Sequence, residues 1–210
     1  MNMNIKWNGK ECDIMKERIK KQLEFIYEID KAKNIFRQTY VSNGERTEND
    51  AEHSWHLAIM AFVLSEYVGD DVDVLKTIKM VLMHDLVEIY AGDTYCYDAE
   101  ANMDKEEREK KAAEKIYGLL PKDQYDEYKS LWEEFEKVET KEAKFASILD
   151  KIQPVMLNYG TEGRAWREHG IYRDQVEKRN KVVFDGPKEF SEILTAILDL
   201  AEEKGYLKTR

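Results

Sequence analysis

The sequence predicts an all-α protein on three observations. Only 3 prolines and 10 glycines interrupt 210 residues, the good helix formers Glu, Lys, Leu, Ala and Met are plentiful, and apolar residues recur at helical intervals. Alternating apolar and polar runs, the mark of strands, are hardly present. With 42% of its residues hydrophobic, the chain can bury one substantial core. A single domain over residues 1–210 is expected, its core running from about residue 12 to about residue 204.

From Cys12 to Asn34, the residues Ile14, Met15, Ile19, Leu23, Ile26 and Ile29 fall on one face of a long first helix. Tyr40 to Asn49 reads as a loop centred on Asn43-Gly44, anchored by an ion pair between Arg46 and Glu48. A second helix, Ala51 to Tyr67, carries Leu57, Met60, Ala61 and Leu64 on one side. A third, Asp73 to Tyr90, is apolar around most of its circumference, which predicts a central, buried position. Ala91-Gly92-Asp93 ends it, and a loop rich in acids and tyrosines runs to Met103. The mixed charges of Lys105 to Lys111 read as an exposed helix face. Pro121 opens a helix to Phe135, and Thr140 to Asn158 form another with Asp150 and Lys151 inside it. Tyr172–Lys181 and Lys188–Glu203 complete the series, separated by Gly186-Pro187.

A formal net charge of -10 repels polyanions, so a nucleic-acid polymer is not an expected partner. A single phosphate escapes that argument, because one ion and one or two local cations suffice to hold it. No apolar run approaches the roughly 18 to 20 residues of a membrane span, and Met1 to Trp7 lack the apolar core of a signal peptide. A cytoplasmic protein without membrane contact is expected. Cys12 and Cys96, far apart and outside metal-ligand spacing, are expected to be reduced thiols filling apolar space.

The chemistry concentrates around the few histidines, His53, His56, His84 and His169. His84-Asp85 sits inside Met80-Val81-Leu82-Met83-His84-Asp85-Leu86-Val87-Glu88-Ile89, a run too apolar to face water. A buried carboxylate is costly unless paired or metal-bound, which makes this pair a candidate for function. Glu88, three and four residues on, can point toward the same region of the helix surface. His53 in the preceding helix and a carboxylate from a later one would complete two imidazoles and two carboxylates around one divalent ion. That donor set suits Co, Mn, Fe or Ni, and admits Zn or Mg. Asp150, with apolar neighbours on both sides, fits the last position, although spacing alone does not choose it over Glu142 or Glu139.

His53, His84-Asp85 and Asp150, in that order, resemble the H…HD…D signature of the HD phosphohydrolase superfamily. The stretches Arg46-Thr47-Glu48-Asn49-Asp50-Ala51-Glu52-His53-Ser54 and His84-Asp85-Leu86-Val87-Glu88-Ile89-Tyr90-Ala91-Gly92-Asp93 are similar to the branch holding bacterial 5'-deoxynucleotidases and HD-domain-containing protein 2. The similarity covers roughly residues 30 to 155. It implies an HD-domain helical bundle, usually a homodimer, that releases phosphate from deoxyribonucleoside 5'-monophosphates with one divalent ion held by His53, His84, Asp85 and Asp150.

The resemblance also implies roles for Glu88 and Asp93. Glu88 would orient or deprotonate the attacking water or serve the leaving oxygen, and Asp93 would contact the sugar hydroxyls. The residues themselves leave open which carboxylate carries the proton. Arg37 matches an arginine that clamps the phosphate, and His56, one turn from His53, is either a structural or supporting histidine or a further phosphate contact. One departure stands beside Arg37: where the bacterial enzymes have Arg-Trp, this chain has Arg37-Gln38, and the following loop is about one residue longer. Two other readings stand beside the nucleotidase: a hydrolase of another small phosphorylated substrate, such as a nucleoside triphosphate or sugar phosphate, and a non-catalytic metal-binding helical dimer.

Overall fold

The computed structural model describes residues 13–98, 100 and 102–210. Cys12, where the sequence places the start of the first helix and of the core, lies outside them. The helices are α1 (Asp13–Glu28), α2 (Asp50–Val63), α3 (Val74–Met83), α4 (Glu88–Ala91), α5 (Lys105–Tyr117), α6 (Lys122–Lys137), α7 (Lys141–Gly160), α8 (Arg164–His169), α9 (Arg173–Arg179), α10 (Lys181–Phe184) and α11 (Lys188–Glu203). The all-α expectation holds, with one small hairpin added.

The longest helix, α7, is the axis of the fold and packs against α2, α3, α6, α10 and α11. Its Phe145, Ile148, Leu149 and Ile152 share one apolar cluster with Leu57, Met80, Leu194 and Leu198. A second cluster gathers Leu86 and Val87 with Ala113, Ile116 and Tyr117 of α5 and Trp132 of α6. The segment His84–Val87 therefore lies at the seam between the two. Side-chain caps fix the helix starts: Asp73 accepts from Lys76 N at 2.9 Å, and Thr140 Oγ1 from Ala143 N at 3.2 Å.

Four expectations change. The third helix is not continuous: α3 stops at Met83, His84–Val87 form a tighter 3-10 turn, and α4 follows. Tyr117, fully buried in α5, donates its hydroxyl to the Met83 carbonyl at 2.8 Å, just where the winding changes. The expected loop at 40–49 is partly an antiparallel hairpin, β1 (Phe36–Tyr40) with β2 (Thr47–Asn49), in which Phe36 pairs with Asn49 and Tyr40 with Thr47. Strands so short and polar carry no alternation. They are held from outside, by packing on α7 and α8 and by Arg164 donating to the Gly44 carbonyl at 2.5 Å. Arg46 does not pair with Glu48; its guanidinium forks onto Glu52 at 2.7 and 2.6 Å. The helix expected over 172–181 is split at Asn180, whose side chain donates to the Val176 carbonyl at 2.8 Å.

Asn49 begins α2 with a reciprocal cap: its Oδ1 accepts from Glu52 N at 3.0 Å, and its own N–H donates to Glu52 Oε2 at 3.2 Å. Asn49→Ala is expected to cost about 1 kcal/mol, a fall in Tm of roughly 2–4 °C, read by circular-dichroism melting. Asn49→Asp keeps the acceptor and should melt within a degree or so of the parent.

Candidate metal centre

Four side chains from three parts of the fold meet at the seam. His53 comes from α2, His84 and Asp85 from the 3-10 turn, and Asp150 from the middle of α7. His53 Nε2 lies 3.1 Å from Asp150 Oδ1 and 3.9 Å from Asp85 Oδ2. His84 Nε2 lies 3.1 Å from Asp85 Oδ2 and 3.8 Å from Asp150 Oδ1. Ligands about 2.1 Å from one ion stand about 3 Å apart when adjacent in an octahedron and about 4.2 Å apart when opposite, and these four separations fall in that range. Ligand atoms of His53, His84 and Asp150 lie within 4.8 Å of one another, and Asp85 groups in the same way with Asp50 and Glu88. All four residues are buried.

The hydrogen bonds fix which nitrogens are available. His84 Nδ1 is 2.9 Å from the Val81 carbonyl, which can only accept, so Nδ1 carries the proton. His84 Nε2 is buried and makes no hydrogen bond, which leaves its lone pair facing the carboxylates. For His53 the selector is Gln153. Its amide Nε2 donates to Glu48 Oε2 at 2.9 Å, which turns Oε1 toward His53 Nδ1 at 3.1 Å. Both imidazoles thus present Nε2 inward, each oriented by a partner behind it, as metal ligands are.

The protonation equilibria reflect the same acidic surroundings. Burial pulls His84 down, but the Asp85 and Asp150 carboxylates outweigh it and push it up to about 10. His53 is raised too, burial and Arg37 being overcome by Asp150 and Glu48. Burial alone would raise Asp85 and Asp150. Instead His84 and Arg37 hold Asp85 well below the usual carboxylate range, and Lys151 with the two histidines does so for Asp150. Such a cluster needs positive charge at its centre, and the donors present fit a divalent ion.

The centre opens into a cavity of about 300 Å³, and His84, Asp85 and Asp150 form part of its wall. Arg37, Glu88 and Asp93 line it as well. Arg37 donates to Asp85 Oδ2 at 2.6 Å and reaches Asp50 Oδ1 at 3.5 Å, so one guanidinium ties β1 to the turn and to the start of α2. Glu88 is buried with Oε2 unpartnered; burial first, then the nearby Asp85 and Asp50, push its carboxyl well above the usual range. Asp93 is also raised, by burial before anything else. It follows Gly92, whose φ of 78° lets the chain turn out of α4. Arg108 pins that turn by donating to the Ala91 carbonyl at 2.7 Å and to Thr94 Oγ1 at 3.1 Å. His56 is not brought to the cavity; it sits behind the centre, its Nδ1 accepting from Gln153 Nε2 at 3.2 Å.

The far wall is aromatic. Tyr95 and Tyr97 line the cavity edge-to-face at 5.4 Å, and His169 backs Tyr95 at 4.5 Å. His169 also reaches Gln38 Oε1 at 3.2 Å. Cys96 lies on this wall rather than in the core, and burial raises its thiol, which keeps it a poor nucleophile.

Comparison with known proteins agrees with this geometry. A family model described as HD domain matches residues 29–191, which include positions 53, 84, 85 and 150. The chain belongs to the HD-domain family. The human 5'-deoxynucleotidase HDDC2 is 31% identical over 135 residues, 64% of this chain and 65% of that protein. The Dictyostelium discoideum 5'-deoxynucleotidase HDDC2 is 33% identical over 146 residues, 67% of this chain and 77% of that protein. The chain thus spans a little under two thirds of the length of the human relative it matches. A crystal structure of a predicted metal-dependent phosphohydrolase from Magnetospirillum magnetotacticum superposes with a TM-score of 0.84 at 47% identity, covering 91% of this chain and 98% of that one.

Sequence reasoning passed over four polar residues that this HD-domain protein commits to the site. Gln153 is fully buried behind His53, Glu48 holds Gln153, Asp50 lies against Arg37, and Glu109 lines the cavity. Glu109 belongs to the charged run read as an exposed face, yet it is buried with Lys105 at 3.4 Å. Gln153→Leu removes the acceptor behind His53 and should weaken metal affinity by roughly 10- to 100-fold, with the fold intact by circular dichroism. A competition titration of the ion against a chelator measures it; unchanged affinity would remove Gln153 from the site.

Proposed function

We propose that the protein is a metal-dependent phosphomonoester hydrolase acting on (deoxy)ribonucleoside 5'-monophosphates. The observation that carries this reading is the open side of the centre: three of the four ligands face a cavity that also holds Arg37, Glu88 and Asp93. A structural ion would be closed off and ligated by protein on all sides. The cavity, about 300 Å³, is at the small end of ligand sites and suits a mononucleotide. The HDDC2 relatives, named 5'-deoxynucleotidases, support the same substrate class.

The ion, of the Co, Mn, Fe or Ni type, would supply Lewis acidity for a phosphate oxygen and acidify water. The chain's residues do the rest. Arg37, anchored on Asp85, presents fixed positive charge to the phosphate. Glu88, its carboxyl raised by burial, is placed to hold or pass a proton beside Asp85. Asp93, one residue beyond the Gly92 turn, faces the sugar, and Tyr95 and Tyr97 offer flat surface to the base.

A homodimer accompanies this reading. Besides its buried face, α2 carries a second apolar stripe, Trp55, Ile59, Phe62 and Val63, which is exposed. Leu75 and Leu82 on the neighbouring α3 are also exposed. So much contiguous apolar surface is costly in a monomer, and a second copy of the same face would bury it. Phe62→Glu is expected to convert a dimer to a monomer in analytical ultracentrifugation.

Phosphate release from a panel of ribo- and deoxyribonucleoside 5'-monophosphates, with each ion added to metal-stripped protein, tests the activity. Wild type should release phosphate and Asp85→Asn should not. Glu88→Gln should keep its metal and lose about 10²- to 10⁴-fold in kcat. The ribo-to-deoxy ratio, compared with that of Gln38→Trp, reads sugar selection at the one departure from the bacterial pattern. No release from any monophosphate by metal-loaded wild type would sink the reading.

A further inference from the structure

A second concavity of about 760 Å³ adjoins the catalytic cavity, and Val138, Ser147, Lys151 and Arg179 line both. Its floor is one face of α7, where Lys141, Lys144, Ile148 and Lys151 recur at helical spacing. Lys144 and Lys151 are seven residues apart, a rise of about 10 Å along the helix. Lys151 ends the row at the metal centre, 2.5 Å from Asp150 Oδ2. Arg179 of α9 and Lys181 of α10 line the same groove.

The cations here differ in their engagement. Lys141 is paired with Asp71 and Lys181 with Asp185, the acids that share the groove. The side chains of Lys144 and Arg179 have no ion pair or hydrogen bond with any described residue. Five cations against two acids is a local excess of positive charge in a chain whose net charge is -10. Phe145, Ile148 and Val182 add apolar surface between the charges. A groove that is cationic at intervals, apolar between them and continuous with the centre has the chemistry to hold an anion joined through a sugar to the scissile phosphate.

We propose that this groove is a second phosphate subsite. With the 5'-phosphate at the metal centre, it takes a further phosphoryl group on the same nucleotide through Arg179 and Lys144. The proposal rests on the nucleotide reading above, and its preferred ligand class is a nucleoside 3',5'-bisphosphate.

Isothermal titration of the metal-loaded Glu88→Gln protein, which removes turnover, compares a nucleoside 3',5'-bisphosphate with the matching 5'-monophosphate. The bisphosphate is expected to bind about tenfold more tightly, the gain of one charge-assisted contact. Adding Lys144→Gln should erase most of that margin while leaving the monophosphate within twofold, and Lys144→Arg should restore it. A bisphosphate no tighter than the monophosphate, or a Lys144→Gln loss equal for both ligands, overturns the proposal. So does binding in the groove that fails to displace a bound monophosphate, because one nucleotide would not then span the two sites. If wild type hydrolyses no monophosphate, the nucleotidase reading fails on its own assay, and the same titration on wild-type holoprotein still decides the subsite.

Discussion

The fold is organised around a cluster of charge that would be intolerable without compensation. His53, His84, Asp85 and Asp150 are buried among apolar helices, and Asp50, Glu48 and Glu88 are buried beside them. An isolated buried carboxylate costs several kcal/mol, so each must be answered locally. Arg37 answers Asp85 and Asp50 from the hairpin, Lys151 answers Asp150 from α7, and Gln153 bridges Glu48 to His53. An ion at the meeting point of the four ligands would supply the remaining charge. Elements that look peripheral, such as the short hairpin, are thereby tied to the core through the site.

The 3-10 turn at His84–Val87 is the local expression of that constraint. In an α-helix, residues three apart are offset by about 60° around the axis, whereas in a 3-10 turn they eclipse. The tighter winding brings Asp85 and Glu88 closer to one line along the cavity wall than a continuous helix would. Tyr117 holds the Met83 carbonyl at the point of change, and Phe135 lies against the His84 ring at 4.8 Å. A turn with poorer hydrogen bonding therefore persists because packing from α5 and α6 over-determines it.

The sequence made the long helices and the ligand-bearing run legible because both are expressed as local pattern. A buried helix shows as apolar residues all round, and a histidine and aspartate inside such a run stand out. The contribution of Gln153 was invisible for the opposite reason: an uncharged amide near a helix middle has no local signature, and its role exists only through partners 100 and 105 residues away. Glu109 was concealed by its neighbours, since Lys105, Glu106, Lys110 and Lys111 make a charged stretch in which one inward residue cannot be told from the rest. The hairpin was missed because its strands are made by contacts with α7 and α8 rather than by alternation. His56 was open between a supporting role and a phosphate contact, and Gln153 holds it behind the centre, in the supporting position.

The distribution of charge around the cavity bears on how such a site can take an anion at all. Asp85, Glu88, Asp93, Glu109, Glu136 and Asp150 line it, against Arg37, Lys105, Lys151 and Arg179. Two of those cations are already committed, Arg37 to Asp85 and Lys151 to Asp150, and Lys105 faces Glu109. A dianionic phosphate approaching this wall meets little uncommitted positive charge near the ligands themselves. Burial raises the carboxyls of Glu88 and Asp93, which acts in the direction of less negative charge on this wall. An ion held by the histidines and aspartates would supply the rest. On the proposed reading, binding of the anion and binding of the metal would be one electrostatic event, and loss of the metal would remove affinity for the anion together with the chemistry.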